Sequence, residues 1–278
     1  MKFYKYQGAG NDFLIADNRD GSVNLTEAQI SAICDRRYGV GADGLMLLEK
    51  SGKYDFRMNY FNSDGSGGMM CGNGGRCIVA FAADMGFTHF DFEAADGFHT
   101  AEILQSGDKM KTVRLKMKDV DRIRRYQSLK YFTIPSDGYF LDTGTRHYVR
   151  IVKDLDAYDV VGEGRDIRYN ASELQPVGAN VNFIEPSEDG VLKVRTYEKG
   201  VEDETFACGT GIVASCIAAY EAGIRPYTSG GSHVVYEVKA KRDRLKVAFR
   251  PLDMSGGVAE DVWLTGPATF VAQIICEI

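Results

Sequence analysis

The chain has 278 residues, enough for one large domain or two of ordinary size, each with its own core. It is 44% hydrophobic and 26% charged with a net charge of −6, which disfavours a basic grip on nucleic acid or on an anionic membrane. No apolar run approaches the ~20 residues of a membrane span.

The opening "MKFYKYQGAGNDF" lacks the apolar core of a signal peptide and reads as a strand. A cytoplasmic chain is expected, with its thiols reduced. Segments 2–7, 13–17, 45–49, 55–61, 90–94 and 112–117 are rich in aromatic and aliphatic residues between Gly, Asp and Asn turns, and predict strands. Two helical patterns interrupt them. Residues 26–37 start on Thr26 as an N-cap and end in basic residues, which favour a helix C-terminus. Residues 74–87, "GGRCIVAFAADMGF", are nearly apolar all round before Gly86 stops them, as in a buried helix.

The stretch 117–130 is the most charged and reads as a solvated linker. The second half then repeats the order of the first. Strands at 139–144, 147–152, 180–185 and 192–198 precede a second apolar helix, 209–224, and strands at 233–238, 244–249, 262–266 and 269–278 follow. This predicts an α/β (α+β) fold of two pseudo-symmetric domains, each a sheet wrapped around a central apolar helix. The domains are expected at 1–118 plus 268–278 and at 119–267, the last strand crossing back to complete the first sheet.

Both apolar helices open on a Cys-Gly-x-Gly turn: "CGNGG" at 71–75 and "CGTG" at 208–211. A helix N-terminus offers unpaired N–H groups and a partial positive charge, so a thiol there ionises more easily. Glycines let the backbone turn tightly, and successive N–H groups make a concave site for a carboxylate. Two such motifs on one ligand would set a sulfur on each side of the carbon next to its carboxylate. One thiolate could then remove the α-proton while the other thiol returns one from the opposite face. That chemistry formally requires neither metal nor pyridoxal phosphate.

Other readings fit less well. Cys34, Cys77, Cys216 and Cys276 read as buried thiols. Zinc would need ligands at spacings C-x5-C and C-x7-C, unlike the usual C-x2-C knuckle. "GMMCGNGG" lacks the Lys-Ser/Thr ending of a phosphate loop, and "GAGNDF" opens no helix as a dinucleotide fingerprint must. None of the four histidines sits in a recognised peptidase context.

The strings "GAGNDF" (8–13), "RRYGVGADG" (36–44), "FNSDGSGGMMCGNGGRC" (61–77), "NVNF" (180–183), "RTYEKGVEDETFACGTG" (195–211) and "TGPATF" (265–270) resemble the diaminopimelate epimerases, in order and over nearly the whole chain. The resemblance implies that Cys71 and Cys208 are the acid–base pair, in a cleft between two like domains, with no cofactor. It implies that Gly72, Asn73, Gly209 and Thr210 supply donors around the reacting carboxylate, and that Asn11, Asn62, Asn180 and the chain around Glu198 hold the rest of a small amino-acid substrate. His147 and Glu198 match polar positions near the thiols. A homodimer follows from family habit only.

Two departures stand out. Lys199 occupies the place of the arginine that clasps the distal carboxylate, and loses its two-pronged hydrogen bonding. "GTRH" at 144–147 brings Thr145 and Arg146 where a rigid proline precedes the histidine, and Arg146 is expected to replace the missing arginine in part if it turns towards the cleft. The spacing from Lys199 to Cys208 is also one residue longer. A racemase of the same chemistry for another amino acid, or a non-catalytic amino-acid binding protein, are the alternatives. If the two thiols do reach one carbon, air oxidation should join them in a disulfide that dithiothreitol reverses.

Overall fold

A computed structural model describes residues 1–126, 138–252 and 258–277. The chain divides into two compact units, Met1–Lys116 with Thr265–Ile278, and Met117–Leu264. Of the charged stretch read as a linker, residues 127–130 lie outside the described residues.

The first unit contains β1 (Lys2–Gly8), β2 (Asn11–Asp17), α1 (Glu27–Cys34), β3 (Gly44–Glu49), β4 (Phe56–Asn62), α2 (Gly72–Asp84), β5 (Asp91–Ala94), β6 (Gly97–Ser106) and β7 (Met110–Lys116). β1 and β2 form an antiparallel pair. α1 then carries the chain over so that β3 lies parallel to β2. β4 returns antiparallel to β3, and α2 makes a second crossover to a parallel β5. A parallel pair needs such a crossover, whereas β6 and β7 follow antiparallel after short turns. The last strand of the chain pairs antiparallel with both β7 and β1, so the sheet closes on itself and leaves no free edge.

Inside it runs α2, with every residue from Gly72 to Ala82 buried. That burial is why the helix has no polar face. α1 instead lies outside and begins on a capping box, in which the Thr26 hydroxyl accepts from Gln29 N–H and the Gln29 side chain accepts from Thr26 N–H. It ends at Cys34, earlier than expected. The Asp35 carboxylate takes the N–H groups of Arg37 and Tyr38, so both basic residues fall in a turn beyond the helix.

The second unit contains β8 (Ile123–Tyr126), β9 (Gly138–Asp142), β10 (Arg146–Ile151), α3 (Val160–Asn170), β11 (Asn180–Pro186), β12 (Leu192–Glu198), β13 (Asp203–Thr205), α4 (Gly209–Glu221), β14 (Thr228–Gly230), β15 (His233–Lys239) and β16 (Arg244–Pro251). β9 and β10 are antiparallel, α3 leads to a parallel β11, β12 returns antiparallel, and α4 leads to a parallel β15. This is the pairing order of β1 to β5, to which the second unit adds the short strands β13 beside β12 and β14 beside β15. The two-domain α+β fold with like halves is therefore present in the chain itself.

α3 was not foreseen. Its sequence, "VVGEGRDIRYN", holds two glycines that weaken a helical pattern. Gly164 is there for packing: a methyl group on it would stand 2.4 Å from Tyr197 Cβ. α3 seals the core formed by Tyr148, Val181, Phe183 and Tyr197. The strands expected at 262–266 and 269–278 are one continuous strand, β17 (Ala259–Ile275). No helix among the described residues is long and apolar enough to cross a membrane.

Candidate active site

In the first unit Cys71 is the N-cap of α2, with extended backbone (φ −116°, ψ 153°). Its sulfur accepts the N–H of Gly74 at 3.2 Å. Negative charge on this sulfur is met both by that donor and by the positive end of the helix. Side chains on the glycines of the turn would crowd their neighbours. A methyl at Gly75 would lie 2.8 Å from Leu115, and one at Gly74 3.3 Å from the Cys71 sulfur. Gly72 and Asn73 are buried beside them.

Arg76 lies fully buried in the first turns of α2. Its guanidinium donates to Gly72 O, to Pro267 O and to Asn73 Oδ1. The Asn73 side chain is thus held by its oxygen. The signal was in "CGNGGRC", where an arginine interrupts an otherwise apolar helix.

Asn11 donates to Asp43 Oδ2 at 2.5 Å, and Asp43 is bound in turn by Arg36. Arg36 also forks onto Asp12, which pairs with Lys5. Burial alone would raise the Asp12 carboxyl, yet the hydrogen bonds and charges of Arg36 and Lys5 bring it down to about 2. Asn62 ends β4 and binds Ser66 in the turn ahead of Cys71.

In the second unit Cys208 is the N-cap of α4 and 8% exposed. Its sulfur lies 3.5 Å from Thr210 Oγ1. Thr210 Oγ1 is in turn 3.0 Å from Thr145 Oγ1 and 3.1 Å from His147 Nε2. The helix start is tied down by the Thr143 hydroxyl, which donates to Thr210 O. Gly209 and Gly211 are buried in it. His147 is completely buried, and burial pushes it down to about 3, so the ring is neutral.

Asn180 accepts Lys199 N–H at 2.8 Å and donates to Arg146 O, joining β10 to the turn after β12. Glu198 accepts from Thr205, and Lys199 is exposed. Adjacent strand residues point to opposite faces, so Arg146 leaves on the face away from His147 and Thr210. There its guanidinium lies 5.1 Å over the Phe140 ring.

All six cysteines are free thiols. Cys77 and Cys216 are wholly enclosed and pushed up by burial, and Cys34 is raised to about 11, also chiefly by burial. These three stay protonated, apart from the two at the helix starts. Among the described residues no cluster of His, Cys, Asp and Glu could hold a metal ion.

The family model described as diaminopimelate epimerase matches residues 3–123 and 139–247. The chain belongs to the diaminopimelate epimerase family. A diaminopimelate epimerase of Chlorobaculum tepidum is 44% identical over 95% of this chain and 96% of its own, and one of Flavobacterium psychrophilum is 40% identical over 98% and 99%. Among solved structures, a phenazine biosynthesis protein of the PhzF family from Bacillus anthracis superposes with a TM-score of 0.72 at 17% identity, covering 100% of this chain and 99% of that one. A hydroxyproline epimerase from Agrobacterium vitis gives 0.64 at 16% identity, covering 99% and 91%. At such identities these two speak for the fold alone.

Proposed function

We propose that the protein is a cofactor-independent two-base epimerase interconverting LL- and meso-diaminopimelate, with Cys71 and Cys208 as the thiolate–thiol pair. One observation carries the reading: in a chain of this family, each unit places a cysteine as the N-cap of a 13-residue buried helix whose first turn is glycine-rich.

The thiolate removes the α-proton, and the electron pair moves into the adjacent carboxylate. The opposite thiol then donates its proton to the other face of the carbon, which leaves the roles of the sulfurs exchanged. Negative charge growing on the carboxylate is stabilised by the N–H groups of Gly72, Asn73, Gly209 and Thr210 at the two helix starts. Asn11, Asn62 and Asn180, whose side chains are held by neighbouring hydrogen bonds, orient the remainder of the substrate, and Lys199 meets the distal carboxylate as a single charge. The same reading places the enzyme in the cytoplasm, by family habit as a homodimer.

Replacing either cysteine tests this. Cys71→Ser and Cys208→Ser should each lower kcat by about a thousandfold or more while diaminopimelate still binds calorimetrically. Turnover that survives either change would remove that residue from the mechanism. A protein that binds the amino acid without any turnover would be a binding module instead.

A further inference from the structure

Asn182 follows Asn180 by two residues on β11 and is completely buried. Its Nδ2 donates to Tyr148 O at 3.1 Å, and because a carbonyl only accepts, this contact fixes which end of the amide is nitrogen. Its Oδ1 accepts the Thr196 hydroxyl at 2.9 Å. Gly211 of α4 leaves room for that oxygen, since a methyl there would stand 2.4 Å from it. The amide is therefore held from β10, β12 and α4 at once.

The second Nδ2 proton points at His147 Nδ1, 3.1 Å away. A nitrogen that accepts carries no proton, so the neutral ring bears its proton on Nε2. Nε2 faces Thr145 Oγ1 at 2.8 Å and Thr210 Oγ1 at 3.1 Å. Since Nε2 is already protonated, neither hydroxyl can donate to the ring. The Thr210 proton is then free for the Cys208 sulfur, and a thiolate is the strongest acceptor within its reach.

We propose that Asn182 is a positioning residue that locks His147 as the Nε2–H tautomer and so directs the Thr210 hydroxyl proton onto Cys208. The inference rests on Cys208 being one of the two acid–base groups. With the proton on Nδ1 instead, Nε2 would become an acceptor and draw a threonine proton away from the sulfur. The neutral ring makes this a matter of hydrogen-bond direction rather than of proton exchange with His147. Between the Asn182 amide and the Cys208 sulfur the chain consists of the His147 ring and two threonine hydroxyls.

Nitrogen-15 NMR of the substrate-free protein reads the tautomer directly, with His147 assigned by the signal that His147→Gln lacks. The expected spectrum shows the proton on Nε2 and no titration between about pH 5.5 and 8.5. A proton on Nδ1, or a midpoint within that range, would overturn the proposal. Asn182→Asp, whose carboxylate accepts where the amide donated, should move a proton to Nδ1 and lower kcat about tenfold or more, with KM changed less. A variant that carries the proton on Nδ1 and keeps wild-type kcat would equally overturn it. Because the wild-type spectrum needs neither the variant nor a substrate, it stands whatever amino acid the enzyme turns over.

Discussion

Cys71 and Cys208 differ from the other cysteines in what surrounds the sulfur. Cys77 and Cys216 are wholly enclosed, whereas Cys71 accepts a helix-start N–H and Cys208 lies beside a hydroxyl. The sequence showed which thiols precede glycine turns, and so which two are candidates. It could not show Arg76 behind Asn73 or Asn182 behind His147, because both act through contacts made only after folding. Nor could it orient Arg146, which depends on strand register. With its guanidinium over Phe140, Arg146→Ala should leave KM for diaminopimelate within about twofold. A steady-state assay checks this, and a large rise in KM would return Arg146 to the substrate. Asp12 gives a pH prediction. Its folded value of about 2 lies below the ordinary 3.8, so its stabilisation is complete above 3.8 and is lost as pH falls through about 2. Chemical denaturation from pH 5 to 2 should fall less steeply in Asp12→Asn than in the wild type.

α2 and α4 were legible because helices at the centre of a domain are apolar on every side. α1 was legible at its start, where Thr26 and Gln29 form a local capping box, but not at its end, where Asp35 captures the following N–H groups. Thr26→Ala should therefore cost about 1 kcal/mol in thermal or denaturant unfolding and leave epimerisation unchanged. α3 was illegible for the opposite reason, since Gly164 answers to Tyr197 and Gly162 to the Asp159 cap, not to helix propensity. Gly211 is a stricter case. In Gly211→Ala the new methyl meets an Asn182 oxygen already fixed by Thr196, and overpacking of this kind costs about 1–3 kcal/mol. Denaturation would measure the loss, and the assay should show a fall in kcat because Asn182 must move.

The two units share one order of antiparallel and parallel pairings, with an α-helix at each crossover. The sequence carried this as a repeated succession of strands and a Cys-Gly-x-Gly turn, which is a long-range pattern and survives local errors such as the split of β17. That strand closes the first sheet by joining β7 to β1. Truncation after Leu264 should expose both edges, so that amides of α2 exchange with solvent far faster than in the full chain. Unchanged protection would show that the sheet does not depend on its last strand. The central claim, proton exchange at an α-carbon by two thiols, is tested most directly by proton NMR of LL-diaminopimelate in D2O with the reduced enzyme. The account predicts loss of the α-proton signal together with growth of the meso isomer. Folded, reduced protein that leaves the α-proton in place would contradict it.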